Sequence, residues 1–92
     1  MPRFMIERNV EGAGRLSDAE FREAAQKSCD VIRGLGPDVQ WIESYVADNK
    51  FYCVYIAPNE SLIREHARLS GFPADNIQKI ERIVDPITAE AR

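Results

Sequence analysis

Six stretches of periodic hydrophobicity follow one another along this chain in the order strand, helix, strand, strand, helix, strand, and a turn signal separates each from the next. That order constrains the fold more than any other feature. Two crossovers, each carrying a helix, join strands that then pair in one antiparallel sheet. Short connections leave both helices on the same side.

The individual signals are local. Arg3 to Val10 alternates, with Phe4 and Ile6 on one side and Met5 and Glu7 on the other, and reads as the first strand. Glu11 to Gly14 is a flexible turn. Ser17 and Glu20 have the spacing of a capping box, in which each side chain satisfies the other residue's backbone N–H, with Leu16 before the cap available to staple onto Phe21. Phe21, Ala24, Ala25, Ser28, Val31, Ile32 and Leu35 continue a helical stripe, and Gly34, Gly36 and Pro37 end it. Val39 to Ala47 and Phe51 to Ala57 are rich in aromatic and β-branched residues and read as a hairpin. Asn59 caps the second helix, Gly71 closes it with Phe72 folding back in a Schellman ending, and Pro73 blocks continuation. Asn76 to Asp85 is the fourth strand, and residues 86–92 are a polar tail. The whole chain, 1–92, is one domain of the α+β class with ferredoxin-like βαββαβ order. The expected sheet order is four, one, three, two.

The hairpin register decides which residues share a face. A three-residue loop with Asn49 in the left-handed conformation pairs Val46 with Lys50. Trp41, Glu43 and Tyr45 then join Phe51, Cys53 and Tyr55 on one face, leaving Ile42, Val54 and Ile56 beneath the helices. A two-residue turn would swap one strand's faces. In the first register the aromatic face, with Trp41, Tyr45, Phe51 and Tyr55, points outward and is expected to bind a second subunit. A small domain gains from such pairing, because a chain of 92 residues has a thin core.

Composition excludes several classes of partner. The apolar content of 45% argues against disorder, and a net charge of −3 with interspersed signs offers no basic stripe for nucleic acid. The opening MPRFMIERN is strand-like and not a signal core, and no apolar run nears the roughly 18 residues that cross a bilayer. The cytoplasm is the expected location, and Cys29 and Cys53 are expected to stay reduced, on opposite sides of the sheet.

Few residues carry chemistry. His66 is the single histidine and lies on the apolar stripe of the second helix. It is either a packed histidine with a polar partner or an imidazole for a metal or for general-base work. Glu43 and Cys53, opposite each other in the expected register, offer a hard and a soft metal ligand, but without the Cys-x-x-Cys spacing of a structural zinc site. Gly12-Ala13-Gly14 lacks the lysine and later glycine of a phosphate loop.

The segments Gln40 to Val46, Tyr52 to Pro58, Arg64-Glu65-His66-Ala67, Gly71 to Asp75 and Val84-Asp85-Pro86 resemble a family of small bacterial proteins described as nickel-binding or nickel-responsive. The resemblance covers Arg3 to Thr88, and the family is similar in fold to dimeric α+β barrel proteins. It implies a homodimer and a role in nickel binding, sequestration or tolerance. It brings no ligand set with it. It also implies that relatives often carry His where this chain has Glu43, so a histidine-dependent site is altered here. The competing class is a small enzyme of the barrel type, a monooxygenase or isomerase, with His66 pointing into a pocket between sheet and helices.

Overall fold

The computed structural model describes residues 1–90. Four strands, β1 (Arg3–Asn9), β2 (Gln40–Val46), β3 (Lys50–Ile56) and β4 (Asn76–Ile80), and two helices, α1 (Asp18–Leu35) and α2 (Glu60–Ser70), follow the expected order. Short 3-10 helices are added at Ala13–Arg15 and Pro86–Ala89. All strand pairs are antiparallel and the sheet runs β2-β3-β1-β4, the order expected from the connections. Phe4, Ile6, Cys53 and Tyr55 from the strands share one cluster with Ile32 and Leu35 of α1 and Leu62 and Ile63 of α2. Both helices therefore cover the same face, and the other face is open.

The helix ends form as their residues dictate. Ser17 Oγ accepts from the Glu20 amide at 3.1 Å and the Glu20 carboxylate accepts from the Ser17 amide at 3.0 Å. Asn59 accepts from the Leu62 amide at 3.1 Å. Gly71 takes φ 76° and its N–H donates to Ala67 O at 3.0 Å. The Schellman ending is not made: the Phe72 amide donates to Ser70 Oγ at 3.3 Å instead.

The hairpin differs from expectation. Val46 pairs with Phe51, and the Ala47 amide donates to Lys50 O at 2.9 Å, so the turn holds only Asp48 and Asn49. Among the described residues none but glycine has positive φ, so Asn49 is not left-handed. Its groups serve the β1–α1 loop instead: Val10 N–H donates to Asn49 O at 3.0 Å and Gly12 N–H to Asn49 Oδ1 at 2.9 Å. The expected flexible turn is thus tied to the hairpin. Further along, the register shifts at a bulge between Trp41 and Glu43. Trp41 returns opposite Tyr55, while Glu43 lies opposite Val54 and Ser44 opposite Cys53.

Two corrections follow for the faces. Trp41, Phe51, Cys53 and Tyr55 do share a face, but it is the helix-covered one, because β1 pairs Phe4 with Tyr55 and Ile6 with Cys53. Large rings fill the space between a curved sheet and its helices, and the Tyr55 hydroxyl finds a partner on α1. Glu43 and Tyr45 go to the open face with Val54. Cys53 therefore points toward the helices, not away from them. Both cysteines are nonetheless free. The fourth strand also ends early. The ladder finishes where Arg3, the first residue of β1, meets Ile80, and residues 81–85 have no strand to pair with.

Candidate functional site: a buried arginine beside an apolar cleft

Alternation along β1 turns Phe4, Ile6 and Arg8 to the helix side. The third of these brings a guanidinium into the core, where Arg8 is only 3% exposed. One terminal nitrogen donates to Pro73 O at 2.7 Å, and the other, Nη2, has no partner. The guanidinium carbon sits 5.6 Å from the centre of the Phe72 ring, with Lys27 Nζ 5.7 Å from the same ring. None of the ion pairs among the described residues includes Arg8.

Beside it runs a polar chain through the core. Ser28 Oγ on α1 lies 3.1 Å from Tyr55 Oη on β3 and 3.1 Å from His66 Nε2 on α2. The Tyr55 and His66 rings are 4.9 Å apart. His66 is fully buried and its Nδ1 has no partner. Burial, and then the charge of Arg8, lower its pKa from 6.5 to about 4, against a smaller opposing effect of the Ser28 backbone. The ring is neutral at physiological pH. Burial raises the Tyr55 pKa, with Ser28 and Arg8 pulling against it.

These groups adjoin a cleft of about 320 Å³ between the helices and the sheet. Phe21, Ala24 and Ala25 of α1, Trp41 and Ser44 of β2, Phe51 of β3 and Phe72 beyond α2 form its walls. The more deeply buried Arg8, Ser28, Cys53 and Tyr55 form its floor. Trp41 stacks on Tyr55 at 6.4 Å and donates its indole N–H to Ser44 Oγ at 3.0 Å. A pocket between sheet and helices does exist, but His66 does not line it; Ser28 and Tyr55 stand between.

The residues singled out from the sequence do not converge. His66 is in the core, Cys53 at the cleft floor, and Glu43 on the open face, where the nearby carboxylate raises the pKa of the Tyr45 phenol. Among the described residues no three His, Cys, Asp or Glu side chains are placed to hold a metal ion. His66 fits a cation poorly, since burial, and then the Arg8 guanidinium, lower its basicity. Within one chain, the described residues therefore do not form such a cluster. Arg8 went unnoticed in the sequence, although strand alternation from Phe4 and Ile6 carries the signal. Ser28 was legible as part of the α1 stripe, but not as the link between Tyr55 and His66.

Residues 4–80 match the model of the family described as nickel responsive protein SCO4226-like, and the chain belongs to that family. The crystal structure of SCO4226 from Streptomyces coelicolor A3(2) is similar, with a TM-score of 0.75 at 18% identity, covering 89% of this chain and 99% of that one. At that identity the likeness establishes the fold alone. No curated protein matches. No helix among the described residues is long and apolar enough to cross a membrane.

Proposed function

We propose that this protein serves a nickel response as a homodimer joined through its open sheet face, holding the ion weakly at a site that needs both copies. The match of residues 4–80 to a nickel responsive family carries the reading. Of the three candidate ligands, Glu43 alone lies on the open face, beside Tyr45 and the exposed Ile42, Ile83 and Val84. A carboxylate there from each copy supplies oxygen donors to a divalent ion, with water completing the shell. His66 and Cys53 belong to the other side of the sheet and are the lesser candidates.

Calorimetric titration of nickel chloride into tag-free protein tests this. Glu43→Gln is expected to weaken binding at least tenfold, with His66→Gln and Cys53→Ser unchanged. Equal affinity in wild type and Glu43→Gln would remove the open face from the site. Loss confined to His66→Gln in a folded protein would move it to the core.

A further inference from the structure

We propose that the cleft between α1 and the sheet binds a small organic carboxylate with an apolar body, anchored by Arg8. This goes beyond the nickel reading and does not depend on it. A buried cation without a counter-ion is costly, and a core that keeps one is stabilised by an anion from outside. Arg8 meets that description: it is almost fully buried, has a terminal nitrogen without a partner, and forms no ion pair. It also lines a cleft of about 320 Å³ on the helix-covered face. That volume lies in the range of small-molecule sites, which combine apolar walls with a few polar groups.

The walls set the ligand's body. Phe21, Trp41, Phe51 and Phe72 offer ring surfaces, and Ala25 on α1 leaves the room between them. The floor sets its head. A planar guanidinium suits a planar carboxylate, and one buried cation balances one negative charge. A phosphate monoester, bearing close to two charges at pH 7, would stay under-compensated. Lys27, with its Nζ 5.7 Å from the centre of the Phe72 ring, adds positive potential that draws an anion inward. The Tyr55 hydroxyl, 3.1 Å from Ser28 Oγ, adds a second polar group at the floor.

Trp41 is the single tryptophan and stands in the cleft wall, so its emission reports occupancy directly. The probes are 4-phenylbutyrate and its neutral counterpart 4-phenylbutyramide. The carboxylate is expected to change Trp41 emission saturably, with the amide at least tenfold weaker. Arg8→Gln is expected to abolish that preference. Ala25→Leu, which fills the cleft and leaves Arg8 in place, is expected to block both probes. If Arg8→Gln does not fold by circular dichroism, Ala25→Leu decides. Carboxylate and amide binding alike, no saturable binding to wild type, or full carboxylate binding in Ala25→Leu would each overturn the proposal.

Discussion

His66 and Arg8 occupy the same core, and burial first, with the charge of Arg8 second, keeps the imidazole neutral. A neutral imidazole packed against Tyr55 and Ser28 stabilises the fold only while it stays neutral. Its folded pKa, about 4, lies below the ordinary 6.5, so between those values the unfolded chain binds a proton that the folded chain refuses. The associated stability is fully present above pH 6.5 and is lost as pH falls toward 4. From pH 7 to pH 5 the loss is about 2 kcal/mol. Urea unfolding across that range should show this slope in wild type and a nearly flat profile in His66→Gln. Glu7, Glu20 and Glu65, held below their ordinary 4.5 mainly by hydrogen bonds from Lys50, Ser17 and Arg68, lose their contributions at lower pH. The same slope in both proteins would assign the acid sensitivity elsewhere.

The loop between β1 and α1 and the β2–β3 hairpin act as one unit. Gly14 N–H donates to Asp48 O at 2.9 Å, Arg15 pairs with Asp48 at 2.9 Å, and Gly12 takes φ 77° to reach Asn49. A Cβ on Gly14 would meet Ala47 O at 3.0 Å and Asp48 Cα at 3.1 Å, both backbone atoms that cannot swing aside. Gly34, near the end of α1, has nothing within 4 Å of its Cβ position. Gly14→Ala is therefore expected to lower stability by about 1–2 kcal/mol, while Gly34→Ala raises it by up to about 1 kcal/mol through helix propensity. Thermal denaturation of the two variants side by side checks the contrast, and equal shifts would mean that the loop is not pinned to the hairpin. The capping box belongs to the same class of local device: Ser17→Ala should cost about 1 kcal/mol by the same measurement.

The molecule has one well-filled face and one bare one. Both helices lie on the Phe4 and Ile6 side, leaving Tyr45 54% exposed and Ile42 42% exposed on the other. Ile83 and Val84 follow β4 and line the same shallow hollow, at 62% and 70% exposure. Aliphatic and aromatic side chains gathered on a sheet surface favour a second copy, which would cover them without disturbing the core. Tyr45→Lys should shift sedimentation to the monomer and leave the monomer's stability nearly unchanged. Trp41→Lys should do the reverse, since Trp41 stacks on Tyr55 inside the cleft and its loss falls on the core. A wild-type dimer that survives Tyr45→Lys would place the interface elsewhere.

The order of elements, the N-caps of both helices and the strand order were legible in the chain because they rest on short-range chemistry. Ser17 sees Glu20, Asn59 sees Leu62, and a period of two or 3.6 needs only neighbouring residues. The hairpin was half legible. Its strands were plain, but a turn of two residues and a bulge at Trp41 and Glu43 displace β2 by one position each, and one position exchanges the faces of a strand. Which face is core followed only from pairings such as Phe4 with Tyr55, more than fifty residues apart in the chain. The same holds for the site. Ser28 meets Tyr55 and His66, and Arg8 meets Pro73, across separations of 27, 38 and 65 residues. No periodicity spans those distances, so the buried guanidinium, the polar chain and the cleft beside them exist only once β1, β3 and both helices have closed on one another.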